Sequence, residues 1–541
     1  MDDAGHQVYL IGCGSTTSGR GPIDAMGFKA FNLARLAELG IAVPAAFVLG
    51  TRYCRDFLAG GSVLADEART QVRSCVRQLE SASGLSFGGT RRPLLVSVRS
   101  GAAVSMPGMM DTVLNVGLSD STLPGLLRVT GNPRLAWDSF RRLVQAFAEV
   151  VQGCGPTAFE TAVRDELDEQ CVEHLDGLDF RSLRALTARF LDVYAEVVGE
   201  PFPQDPWDQL DAAVAAVFRS WNSARAVAYR RANGVADDLG TAVTVQAMVF
   251  GNSGGGSGAG VGFTRDPATG EDRLYLDFAF NAQGEDVVSG RTTLRHGQDL
   301  ESRMPDVYRE LLALKTRLEA EFRDAQEFEF TVQDGRLFVL QTRAAKRTPL
   351  AALRIAVEQL DAGLLTPDDA RKNLAAIDLA GIEILHVLDD ASGIPLARGL
   401  AASIGVVSGH VAIDPARAVA WASAGQSVVL VREDIATSDI AAIHAAAGIL
   451  TARGGRTSHA AVVARELGKA CIVGCEDLRM EPDERSCTIA GRTLYEGDVL
   501  GLDASTGAVY AGELRVSRTR PMELLARLEA HLQGLLVRNE L

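Results

Sequence analysis

The chain has 541 residues, too many for one hydrophobic core, so roughly three or four folding units are expected. Hydrophobic residues make up 47% and charged residues 23%, a globular balance, and no apolar run reaches the roughly 20 residues that a bilayer span needs. A net charge of -15 argues against a nucleic-acid partner, because phosphate backbones attract basic surfaces.

The N-terminus, MDDAGHQVYLIGCG, is acidic and short of apolar residues, which does not suit a secretory signal. Eight cysteines are scattered at Cys13, Cys54, Cys75, Cys154, Cys171, Cys471, Cys475 and Cys487. That spread fits a reducing, cytoplasmic setting better than a disulfide framework. Cys471 and Cys475 have no second pair to complete a zinc site and read as buried small residues.

In chain order, Phe28 to Leu39 carries apolar residues at helical spacing, with Gly40 as a stop and a strand after Pro44. Leu94 to Val98 predicts a short buried strand running into a Gly- and Met-rich loop, Ser100 to Asp111. Residues 134–232 read as largely helical, punctuated by Pro201, Pro203 and Pro206. From Thr241 the period changes: TAVTVQAMVF alternates as a strand does and meets the glycine-rich run Gly251 to Gly262. Strands are predicted again at RLYLDF, EFEFTV and RLFVLQ. Residues 346–392 read as a helical connector, and a small α/β unit is expected from Gly393, with a helix from about Ser458. Residues 522–536 form a last amphipathic helix.

Four segments could carry chemistry. In RGGRTSHAAVVARELGKACIVG, Thr457 or Ser458 can cap a helix whose first turn holds His459. A neutral imidazole there can attack phosphorus, and the group it gains lies near unpaired backbone N–H groups. Arg99, at the end of a strand before a Gly/Ser/Met loop, suits a nucleotide phosphate. Glu327 and Glu329 alternate with apolar residues and project to one face, as do Gln341 and Arg343 on the following strand. Carboxylates with an amide oxygen are hard ligands suited to Mg2+ on a triphosphate. The glycine-rich run could fold over phosphates through its backbone N–H groups, although no Lys-Ser or Lys-Thr follows as in a Walker loop.

Together, SVRSGAAVSMPGMMDTVLNVGL, AVFRSWNSARAVAYRR, NAQGEDVV, LQTRAAKRT, HAAAGILTARGG and TSHAAVVAREL resemble the pyruvate, phosphate dikinase family in the same order, from about Gly27 to the last helix. SMPGMMDT favours the phosphate-using dikinases over the water-using phosphoenolpyruvate synthases. The resemblance implies a multidomain α/β fold: an ATP-grasp-type nucleotide-binding domain over 1–345, with a helical insert at about 120–200. A helical linker over 346–392, a swivelling β/β/α phosphohistidine domain over 393–510 and a C-terminal linker helix over 511–541 would follow. It also implies that ATP and inorganic phosphate phosphorylate His459, releasing AMP and pyrophosphate. Carried over by motif, Lys29 and Arg99 would hold ATP phosphates. Glu327, Glu329 and Gln341 would bind Mg-nucleotide, with Glu329 and Gln341 on the metal and Arg343 in support. Thr457 matches a threonine that a regulatory kinase modifies in plant relatives.

Four positions depart from the family pattern. Phe28 stands where the family has a second glycine, which implies a bulkier, stiffer loop; Glu327 replaces an aspartate. Arg456 replaces an apolar residue, and Ser253 a lysine. The family's (β/α)8 barrel needs roughly 200–250 residues, which this sequence does not hold after Leu541. The acceptor site for pyruvate or phosphoenolpyruvate is therefore expected on a separate barrel protein. A stand-alone phosphotransferase acting on a small molecule, like the rifampin phosphotransferases, is the alternative, and a nucleotide-binding scaffold a third. No membrane partner is expected, and a homodimer is left open.

Overall fold

The computed structural model describes residues 8–14, 20–104, 106, 109–288, 295–388, 394–435, 439–456, 458–481 and 485–533. Contacts divide the chain into two compact units: Met1–Ser257 with Thr331–Thr342, and Gly258–Phe330 with Arg343–Leu541.

The first unit is built on an antiparallel sheet in the order Val8–Ile11, Ala46–Leu49, Ala242–Ala247, Val96–Gly101, Thr112–Val116. Its inner strands are covered on both faces, so Ala46–Leu49 is buried throughout and shows no polar alternation. One face packs on the helix Phe28–Glu38 through Tyr9, Ile11, Leu33 and Val48. The other carries the main core, closed by the helical region from Leu123–Thr130 to Ala224–Asn233. Those helices start where the side chains of Asn132, Asp179, Asp205 and Ser223 accept first-turn N–H groups. The Pro-Phe-Pro punctuation has a packing role. Phe202, held between Pro201 and Pro203, is buried against Phe140, Phe147 and Tyr194 at centroid distances of 5.9, 5.5 and 5.4 Å.

Asp138 lies within this region, its carboxylate 2.8 Å from Arg141 Nη2 and 2.7 Å from Arg142 Nε. Burial works against its ionisation, but the charges of Arg141 and Arg142 more than offset it, so its pKa falls well below the usual aspartate range. A depressed folded pKa gives stability that is present above the unfolded value, near 4, and lost as pH falls through the folded one. Asp138→Asn is expected to cost about 3 kcal/mol at neutral pH and to flatten the acid limb of the stability curve. Acid titration of unfolding, followed by circular dichroism, checks both; an unaltered acid limb would count against the assignment.

The second unit begins with the strands Gly258–Phe263 and Tyr275–Phe280, paired antiparallel. Here the structure corrects the reading of the glycine-rich run, whose second half is a buried strand, not a phosphate loop. A side chain at Gly258, Gly260 or Gly262 would strike the rings of Phe278, Phe330 and Phe328, at 2.1, 2.7 and 2.3 Å. The glycines are sockets for phenylalanines. The first half of the run, in the other unit, is tied down instead of free over a ligand. Gly335 N donates to Gly256 O at 2.7 Å, and Asn132 Nδ2 to Asn252 O at 3.2 Å.

The connector holds two capped helices, Pro349–Asp361 and Pro367–Leu374, with Thr348 and Thr366 as caps and proline at the first position. It is not helical throughout: Ile384–Val387 is a strand, paired antiparallel with Val516–Thr519. The last helix, Met522–Gln533, packs through Leu528 against this connector. The α/β unit is a mixed sheet whose middle strands, Val406–Ala412, Val428–Arg432, Gly448–Thr451 and Ala470–Val473, run parallel in that order. Helices Pro415–Ser423, Ile440–Ala445 and His459–Glu466 link them, and Val499–Asp503 and Ala508–Ala511 extend the sheet antiparallel. Cys471, Cys475 and Cys487 are buried and free, as small core residues. Among the described residues, no helix is long and apolar enough to cross a membrane.

Candidate active site

In the first unit the structure brings three of the candidate residues together. Lys29, Arg99 and Gln341 line one shallow cleft, open to solvent, with Ser100, Thr244, Gln246 and Leu340. Arg99 lies within the strand Val96–Gly101 and not after it, because the strand runs three residues beyond Val98. Its Nη1 donates to Gln246 Oε1 at 3.3 Å, on the neighbouring strand. Lys29 is the second residue of the helix Phe28–Glu38, so it reaches the cleft from the first turn. The helix is set against the sheet by Gly27, whose φ of 76° and ψ of 152° suit glycine alone. A Cβ there would lie 2.1 Å from the carbonyl oxygen of Gly101. Phe28 N donates to Ala102 O at 2.8 Å. Phe28 opens the helix and does not stand in a loop, so the bulkier, stiffer loop expected there is not formed.

In the second unit, Glu327 and Glu329 stand on the strand Gln326–Gln333, alternating with Phe328 and Phe330. With the rings in the glycine sockets, both carboxylates take the opposite face. Glu327 is 6% exposed, and its Oε1 accepts from Arg343 Nη2 at 2.6 Å. Burial acts to lower the pKa of Arg343, but the charge of Glu327 more than offsets it and raises it. Arg343 therefore stays cationic and neutralises one of the two carboxylates. Glu327 and Glu329 offer hard carboxylate oxygens on that strand. Among the described residues no group of three His, Cys, Asp or Glu side chains is poised on a metal.

His459 is the first residue of the helix His459–Glu466. The strand Gly448–Thr451 leads into it through a turn in which Ser458 N donates to Gly455 O at 3.0 Å. Ser458 is the cap, its hydroxyl accepting from Ala461 N at 3.4 Å. Ala460, Ala461 and Ala464 anchor the helix in the core of the α/β unit. The side chain of His459 and all of Thr457 lie outside the described residues.

Two family models match in chain order: the pyruvate phosphate dikinase AMP/ATP-binding domain over residues 62–296, and the PEP-utilising enzyme mobile domain over 424–507. A pyruvate, phosphate dikinase of Clostridium symbiosum is 44% identical over 497 residues, covering 91% of this chain and 56% of that protein. Another, of Rhizobium meliloti (strain 1021), is 42% identical over 522 residues, covering 94% and 58%. The chloroplastic protein of Flaveria pringlei is 43% identical over 512 residues, covering 94% and 53%.

The chain is similar to pyruvate, phosphate dikinases along more than nine tenths of its own length. It spans about half the length of the curated dikinases it matches. Lys29, Glu327, Glu329, Gln341 and Arg343 all fall outside the stretches matched by the two dikinase-family models, whereas Arg99 and His459 fall inside them.

Reading the sequence missed Gln246 and Thr244, which line the cleft with Arg99. The signal was the polar alternation in TAVTVQ, but only the pairing of that strand with Val96–Gly101 gives it meaning. Asp277 and Arg465 were missed too, and both are fully buried. Burial pulls the pKa of Arg465 below the usual arginine value, with the charge of Glu327 working against it.

Proposed function

We propose that this chain carries out the ATP half-reaction of a dikinase. An imidazole nitrogen of His459 attacks the β-phosphorus of ATP, the bond to the α-phosphate oxygen breaks, and AMP leaves. The γ-phosphoryl group passes to inorganic phosphate as pyrophosphate, leaving one phosphoryl group on His459. The reading is supported above all by the ordered pair of domains, the second placing His459 at the head of a capped helix.

In this reading Lys29 and Arg99 hold the triphosphate in the cleft that they line, Arg99 oriented by Gln246. Arg343 offsets Glu327 so that charge near the nucleotide stays balanced. Glu329 and Gln341 are the residues that the resemblance would assign to Mg2+. Bound there, the ion would screen charge on the phosphates. The working domain division follows the expectation above: nucleotide binding over 1–345, the connector over 346–392 and the carrier over 393–510. A cytoplasmic location belongs to the same proposal. The name of the relatives points to pyruvate as the acceptor of the phosphoryl group, on a barrel partner or another surface.

The test is the product balance. With Mg-ATP and inorganic phosphate, one AMP and one pyrophosphate should form per protein in the first turnover. ADP in place of AMP, from folded protein, would sink the proposal and favour a simple kinase.

A further inference from the structure

Arg456 stands three residues ahead of His459. Its guanidinium carbon lies 4.4 Å from the centre of the Tyr275 ring. Arg465, on the helix that His459 begins, lies 5.6 Å from the centre of the Phe263 ring. Phe263 and Tyr275 are partners on paired strands, with ring centroids 6.2 Å apart.

The two arginines are tied to each other. Arg465 is fully buried, and its Nη1 donates to the carbonyl oxygens of Arg456 at 2.7 Å and Ala402 at 2.9 Å. A third contact lies nearby, Lys346 Nζ to Glu466 Oε1 at 2.7 Å. The rings belong to the stretch matched by the AMP/ATP-binding model, and the arginines to the stretch matched by the mobile-domain model. A guanidinium removed from water needs electron-rich neighbours, and the faces of two aromatic rings supply them without fixing a single geometry.

We propose that Arg456 and Arg465 form a two-armed cation–π latch that seats the histidine-bearing segment on the Phe263–Tyr275 pair, with Arg456 as the positioning residue that sets how often it is seated. The seated state is the one in which His459 is charged, a clause that rests on the function proposed above. A cation–π contact is strong enough to shift such an equilibrium by about tenfold and weak enough to release. Arg465 is the fixed arm, because its hydrogen bonds also hold the turn before His459. Arg456, which is only partly buried, is the arm that adjusts.

The pair Lys346–Glu466 gives a readout independent of catalysis. Both side chains are about half exposed, at 50% and 41%, so a zero-length carbodiimide cross-link between them reports the seated state by peptide mass. Full-length Arg456→Ala and Tyr275→Ala should each lower the cross-link yield about tenfold. The double variant should lose no more than either alone, and Tyr275→Phe and Arg456→Lys should keep most of it. Single-turnover charging of His459 should fall by the same factor with ATP affinity unchanged. Thermal melts of each variant separate unseating from unfolding. Normal cross-linking in Arg456→Ala, or additive losses in the double variant, overturns the latch. A cross-link that behaves as stated while no variant, nor the parent, gains a phosphoryl group upholds the latch and rejects the proposed reaction.

Discussion

His459→Ala is expected to abolish the phosphoryl adduct entirely while leaving nucleotide affinity within about twofold, since the cleft of Lys29, Arg99 and Gln341 belongs to a separate unit. The parent protein, incubated with Mg-ATP and phosphate, should gain the mass of one phosphoryl group that is lost in acid and kept in base. Phosphohistidine behaves so because its P–N bond is cleaved once the ring is protonated. The substitution should not disturb the fold: the helix is capped by Ser458 and anchored by Ala460, Ala461 and Ala464, and alanine is a good helix former. An adduct that persists in His459→Ala would mean another carrier. Loss of both adduct and ATP binding would mean that the variant does not fold.

The second large effect is expected at Gly27. Gly27→Ala combines two faults, a φ of 76° with ψ of 152° that side chains disfavour, and a Cβ placed 2.1 Å from the Gly101 carbonyl oxygen. The backbone strain alone amounts to about 1–3 kcal/mol. The clash is with backbone, which cannot rotate away, so either the helix Phe28–Glu38 or the end of the strand Val96–Gly101 must move. Those are the elements that carry Lys29 and Arg99. Urea unfolding should show a loss of about 3 kcal/mol or more, and calorimetric titration a fall in ATP affinity of at least tenfold. Phe28→Gly, by contrast, should change ATP affinity little, because Phe28 already sits on a helical turn. Wild-type stability in Gly27→Ala would show that the helix is not seated as described.

Much of this site was legible in the sequence because local chemistry wrote it. The helix over Phe28 to Leu39, the cap before His459 and the alternation of Glu327 and Glu329 depend on residues within a few positions of each other, and all three appear in the structure. What was not legible depends on distant partners. Gln246 meets Arg99 across 147 positions. Ile384–Val387 becomes a strand only because Val516–Thr519 lies beside it, so its own pattern could not separate it from a helical connector. Gly251 to Gly262 was read as one loop because glycine has no side chain to show a period. The period belongs to the phenylalanines that fill its gaps.

Those gaps also act against misalignment during folding. Gly262 receives Phe328 and Gly260 receives Phe330. If the strand Gln326–Gln333 slipped two residues one way, Phe330 would need the space at Gly258, which Phe278 already fills. A slip of two the other way would drive Phe328 onto the side chain of buried Thr264. A slip of one would turn both carboxylates inward among the rings. Only one alignment survives, so Glu327 and Glu329 receive their addresses from a proofreading step carried out by shape, on the face of the sheet opposite their carboxylates.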